Sequence, residues 1–339
     1  MHERLKNKLE ALRGDLMCGE FILADAKDAD MAWGVPSPGR GWPSGDDTPY
    51  RSMPTFLDEV RQVVEQGEVD IMLSSVSAMS RLAHQEQLFE SSNVTPAIRA
   101  NDTTDVWAVR GGSYCEQPSR AFSSCYITEA QYGTLHPELG TKPAVNLGLY
   151  SITFNNNLEL DLANLEAFHA FRARAAEADF DYFLEVFAPN VDCGIPADQI
   201  PAYVNDMICR SLAGVALDER PQFLKIPFLG PAALEELVAY DPSLIVGVLG
   251  GSSGTTCDAF TLLSQAQKYG ARVALFGRKI KDAEAPLEFI RCLRLIVGEG
   301  LAPEEAVRLY HDRLTQAGLA PRRALEDDLQ LSETSLSYG

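Results

Sequence analysis

A lysine stands third in the apolar run Phe223-Leu224-Lys225-Ile226-Pro227, and a glutamate holds the same place in Phe183-Leu184-Glu185-Val186-Phe187. An ammonium buried without a partner is costly, so Lys225 must be paired or uncharged. A neutral amine in a dry site is a nucleophile toward carbonyl carbon. Strand side chains alternate between faces. If Leu184, Val186, Leu224 and Ile226 face outward, Glu185 and Lys225 share the other face of neighbouring strands at similar height. A carboxylate beside an amine can shuttle protons for it, although the same two residues also read as a structural ion pair.

Further candidates lie at the ends of other apolar runs. Gly250-Gly251-Ser252-Ser253-Gly254 leads into a helical pattern, and Gly277-Arg278 follows a later run. Small residues let backbone amides approach an anion, and a helix N-terminus favours negative charge. The run ending Asp25-Ala26-Lys27-Asp28 puts Asp25 and Lys27 on one face, within reach of a site at that strand end. Asp28 reads as a site residue, an N-cap or a loop residue. Asn146 and Tyr150 share a face of another run. Tyr150 is either a phenolic acid/base or a core aromatic. Asn155 to Asn157 suit a turn and a helix cap.

These residues need a scaffold, and eight short apolar runs supply it: 21–26, 70–75, 96–101, 144–153, 181–187, 221–227, 244–250 and 272–277. Helical patterns separate them, among them "TFLDEVRQVVEQG", "LDLANLEAFHAFRARAAEA", "AALEELVAY", "AFTLLSQAQKYG" and "APLEFIRCLRLIVGEG". Eight strand–helix repeats predict an α/β fold, a parallel (β/α)8 TIM barrel, over an open doubly wound sheet. Leu5, Leu9 and Leu12 predict an N-terminal amphipathic helix, and "APEEAVRLYHDRLTQAG" an extra C-terminal one. The reading is one barrel domain over 1–325, with its core at 21–298. Residues 326–339 form a polar tail, frayed or used in subunit contact. Two long connections, 27–53 and 102–143, leave the carboxyl ends of strands 1 and 3, where barrels build their sites.

Composition limits the partners. The 339 residues are 46% hydrophobic and carry a net charge of −19, which disfavours nucleic acid and anionic membranes as partners. No apolar run approaches the roughly 18 residues of a membrane helix. Seven scattered cysteines without a Cys-x-x-Cys pair, and no signal peptide, suit a reduced cytoplasmic chain. Five histidines, none two to five residues from another, make no zinc site, so no metal or other cofactor is expected. A small molecule is the expected partner, on a homo-oligomer.

At the residues above the chain resembles the class I, Schiff-base aldolase superfamily, which includes the tagatose-bisphosphate, deoxyribose-phosphate and archaeal-type fructose-bisphosphate aldolases. That group carries its Schiff-base lysine on strand 6, often with a Gly-rich phosphate loop after strand 7 and a Gly-Arg turn after strand 8. Lys225, Gly250-Gly251-Ser252 and Gly277-Arg278 match in type and order, and Glu185 resembles the strand-5 glutamate of the tagatose-bisphosphate branch. The resemblance covers about 21–298. It departs where that branch has a strand-4 lysine and this chain has Val145-Asn146-Leu147, and the two long loops have no match. The run "ADAKDADMAWG" resembles that of an uncharacterised aldolase-like barrel group. The resemblance implies a lyase acting on a phosphorylated keto-sugar. Lys225 would form the iminium, Glu185 would move protons with Tyr150 as understudy, and the loops after strands 7 and 8 would hold phosphate. Two rivals remain: a magnesium-dependent lyase or isomerase using Asp25, Asp28 or Glu185, and a silent barrel that only binds a phosphorylated metabolite.

Overall fold

The computed structural model describes residues 1–41, 47, 49–251, 254–333 and 336. Eight parallel strands close into a barrel: β1 Ile22–Lys27, β2 Ile71–Ser74, β3 Thr95–Arg99, β4 Leu147–Thr153, β5 Asp181–Phe187, β6 Leu224–Ile226, β7 Val246–Leu249 and β8 Val273–Phe276. Each falls within or against an apolar run of the sequence. Helices lie between them, which makes this a (β/α)8 barrel rather than an open sheet. Local chemistry sets their ends. Ser52 accepts from the Thr55 amide to start Met53–Gln66, and Gly67 ends it at φ 72°. Asn157 accepts from the Leu160 amide to start Leu158–Glu177.

Alternation along each strand builds two apolar layers. Leu184, Val186, Leu224 and Ile226 pack outward beneath the helices. Phe183, Phe223, Leu147, Leu149 and Leu73 fill the interior. The Phe183 and Phe223 rings stack with centroids 4.5 Å apart, one step below Glu185 and Lys225. Leu5, Leu9 and Leu12 of helix Glu3–Gly14 join this inner cluster and plug the floor of the barrel. Arg4, Lys8 and Arg294 gather on buried Asp70 at 3.0, 3.2 and 3.0 Å and fasten the plug.

Several sequence expectations are corrected here. Tyr150, Gly148 and Asn146 do share a face, but it is the outer one. Tyr150 stacks on Phe171 at 4.4 Å and Phe168 at 5.1 Å, so it belongs to the layer beneath the helices. Asn146 precedes β4 at its amino end, where it donates to the Asp179 carbonyl at 2.7 Å. The tail is not frayed over its described length: helix Leu325–Asp328 and residues up to Glu333 dock on the barrel, and Leu336 is buried. Among the elements that escaped the sequence patterns are helix Ile200–Leu212, which buries Val204, Ile208 and Leu212, and an antiparallel pair, Asp102–Thr103 with Ala121–Phe122, inside the loop after β3.

Gly247 faces inward beside Lys225, and a Cβ there would lie 2.6 Å from the Leu224 carbonyl oxygen and 2.7 Å from Val273 Cβ. Backbone cannot yield as a side chain can, so Gly247→Ala is expected to cost about 2 kcal/mol of unfolding free energy. Denaturant titration checks this, and wild-type stability would contradict the closed packing at β6–β8.

Candidate active site

The site sits at the carboxyl end of the barrel, around a cavity of about 370 Å³. Lys225 on β6 and Glu185 on β5 are register partners that face inward, and Lys225 Nζ donates to Glu185 Oε1 at 2.7 Å. The pair is 7% and 1% exposed. The opening anomaly is thus resolved electrostatically: the buried ammonium has its carboxylate.

The pair is half of a larger network. Ser151 on β4, in register with Glu185, donates from Oγ to Glu185 Oε2 at 2.6 Å. Arg99, the last residue of β3, reaches across it: Nη1 donates to Ser151 Oγ at 3.0 Å, and Nη2 lies 3.6 Å from Glu185 Oε2. Its Nε donates to Asp28 Oδ2 at 2.6 Å. Asn101 fixes Ser151 through a reciprocal pair of hydrogen bonds at 2.9 and 2.7 Å. Two cations and two carboxylates therefore balance inside a closed barrel, as buried charge requires. Burial alone would raise the Asp28 carboxyl, but Arg99 and then Lys225 outweigh it and hold Asp28 below the usual carboxylate range. Against its own burial, Arg99 is held above its ordinary range by Asp28 and Glu185. The sequence reading passed over Arg99, although an arginine in the apolar run "PAIRAN" breaks the pattern just as Lys225 does.

Asp25 and Lys27 do not join this network. The alternation that puts Leu23 beneath the helices puts them on the same outer side of β1. They form their own pair, Lys27 Nζ to Asp25 Oδ2 at 3.1 Å, and Lys27 also lines the cavity. Burial pushes the Asp25 carboxyl up to about 6, against the pull of Lys27, and Glu59 on helix Met53–Gln66 adds to the rise.

The loops after β7 and β8 reach the cavity in part. Gly250, Gly251, Gly277 and Arg278 line it, together with Lys281 from the short helix Arg278–Lys281. Gly251 has φ 60°, and a Cβ on Gly277 would meet the Ala26 carbonyl oxygen at 2.7 Å, so both positions favour glycine. Gly254 packs against Asp258 instead and lines a separate groove with Arg323 and Asp328. Ser252 and Ser253 lie outside the described residues. Trp33, from the loop after β1, stands between Arg278 and Lys281, whose charged groups lie 5.5 and 5.1 Å from its ring. That loop meets the one after β3 through the Ala108 amide and the Ala32 carbonyl at 3.0 Å. The second loop carries Asp105 to the cavity, held by Ser119 and Thr153 hydroxyls at 2.8 Å each. Among the described residues, no group of three or more His, Cys, Asp or Glu is placed to hold a metal ion, and no helix is long and apolar enough to cross a membrane.

No family model matches the chain, and no curated protein matches it. Solved structures do. An archaeal fructose 1,6-bisphosphate aldolase aligns over 87% of this chain and 100% of its own, with 17% identity and a TM-score of 0.59. The fold is that of the aldolase barrels. The fructose-bisphosphate aldolase of Slackia heliotrinireducens aligns over 92% of each chain, with 14% identity and a TM-score of 0.62. A third, an archaeal fructose-1,6-bisphosphate aldolase with its catalytic lysine covalently bound to the carbinolamine intermediate, aligns over 86% of this chain at 16% identity, with a TM-score of 0.58. At such identities the likeness is one of architecture.

The Asp25 carboxyl supplies a pH test. Its folded pKa, about 6, lies above the unfolded value, so the folded state holds the extra proton at low pH. Its contribution is fully present below about pH 4 and is lost as pH rises to about 6. The neutral double variant Asp25→Asn, Lys27→Met should therefore gain stability relative to wild type across that window and then level off. A flat difference, or one of opposite sign, would contradict the upward push of burial on Asp25.

Proposed function

We propose that the chain is a class I aldolase-like lyase that cleaves or forms a carbon–carbon bond of a phosphorylated ketose through a Schiff base on Lys225. One observation carries the reading: an amine and a carboxylate 2.7 Å apart, buried at the carboxyl end of a barrel with the aldolase fold. Glu185 takes a proton from Lys225, and the neutral amine attacks the substrate carbonyl to give a carbinolamine. The proton returns to the carbinolamine hydroxyl, water leaves, and an iminium remains. The iminium draws the electron pair of the neighbouring carbon–carbon bond as a base removes the proton of the hydroxyl beyond it. An aldehyde departs and leaves an enamine on Lys225, which is reprotonated and hydrolysed. Asp28, kept ionised across Arg99, suits the part of that base; Tyr150, on the far side of the sheet, does not. Gly250, Gly251, Gly277 and Arg278, with Lys281, would hold the phosphate.

A panel of ketose phosphates, scored by aldehyde release with and without a chelator, tests this reading. Lys225→Met is expected to lose at least about 10³-fold in kcat, and Glu185→Gln about 10²-fold, as for a general acid–base. Arg278→Ala is expected to raise KM roughly tenfold with kcat nearly kept, the pattern of lost ground-state binding. Undiminished turnover in Lys225→Met, or activity abolished by the chelator, would overturn the Schiff-base assignment.

A further inference from the structure

The helix that follows the β7 loop, Thr256–Lys268, does not present a bare N-terminus to the cavity. Its Thr256 amide donates to Asp328 Oδ1 at 2.8 Å, a carboxylate from 72 residues further along the chain. His311 Nε2 lies 3.0 Å from the other Asp328 oxygen. Thr255 Oγ1 donates to the Gln330 carbonyl at 2.7 Å, and Ser332 donates to Asp258 from Oγ and from its amide, at 2.5 and 2.8 Å. Asp258 is already the capping-box partner of Thr255, whose amide it accepts at 2.7 Å. From the β8 side, Lys279 Nζ donates to the carbonyls of Gly254 and Thr255 at 2.8 and 3.0 Å. Asp258 and Asp328 are 3% and 4% exposed.

Two carboxylates thus occupy the place where a helix dipole would hold a ligand anion. A phosphate on Thr256 would meet both at close range, where like charges repel strongly. The Leu325–Asp328 helix has only four residues and cannot hold its own shape, so its order comes from docking. We propose that Asp328 is a positioning residue: the C-terminal segment fastens the start of helix Thr256–Lys268. It thereby holds Gly254 and Thr255, on whose carbonyls Lys279 rests beside Arg278, and the anionic group binds at the cavity with Arg278 instead of at the helix N-terminus. The second clause rests on the anion reading of the cavity given above.

Two variants of the full chain test the inference. Asp328→Ala removes the acceptor; Asp328→Asn keeps it and removes the charge. Hydrogen exchange is followed at Thr256 to Asp258 without ligand, and inorganic phosphate affinity is measured by calorimetry. Loss of this cap should speed exchange there and weaken phosphate binding, each roughly tenfold in Asp328→Ala and less in Asp328→Asn. Unchanged exchange in both variants would overturn the anchor. If wild type binds no phosphate, the anion reading falls separately, and exchange alone still decides whether Asp328 holds the turn. Should Asp328→Ala fail to fold, the smaller rise in exchange expected of Asp328→Asn decides, and unchanged exchange in that variant overturns the anchor.

Discussion

The pairing of Lys225 with Glu185 inside a closed barrel is the constraint on which the rest depends. Neither charge can be buried alone, and the parallel register of β5 and β6 brings the two together. Stacked Phe183 and Phe223 fill the space below the pair, and the cavity borders it at the carboxyl end. A carboxylate so committed must itself be steadied. Ser151 and Arg99 do this from β4 and β3, and Arg99 extends the chain of charge to Asp28, just after β1. Four strands and the residue just after β1 thereby share one network, and a change at any of them reaches the amine. Such a balance lets a lysine sit in an apolar strand.

A second buried pair, Asp25 with Lys27, shows what the same residue types do on the other face of a strand. There they lie near Glu59 of helix Met53–Gln66, with Lys27 also bordering the cavity. Both lysines are buried, both have a carboxylate and both line the cavity, but they stand on opposite faces of their strands. At the rim, cations gather around Trp33 and the glycines of the last two loops. The C-terminal segment occupies the nearby helix N-terminus through Asp328.

The eight strands were legible because short apolar runs separated by capped helices leave few other folds. The faces of β5 and β6 were legible because aliphatic and charged residues alternate cleanly there. The face of β1 was not: in Ile-Leu-Ala-Asp-Ala-Lys the small alanines suit either side, and a self-paired Asp25 and Lys27 defeat the rule that buried charges point to the site. Tyr150 misled for a related reason, since a phenol serves equally in a core. Arg99 obeyed the rule that singled out Lys225 and could have been found by it. Asp328 could not, because its partner lies 72 residues away and no local pattern encodes the contact.

The central claim is that Lys225 is the covalent nucleophile. Borohydride reduction during incubation with ketose phosphates, followed by peptide mass mapping, tests it most directly. The account predicts a stable adduct on the peptide containing Lys225, absent from Lys225→Met. An adduct on Lys27, or turnover with no adduct on any lysine, would contradict it.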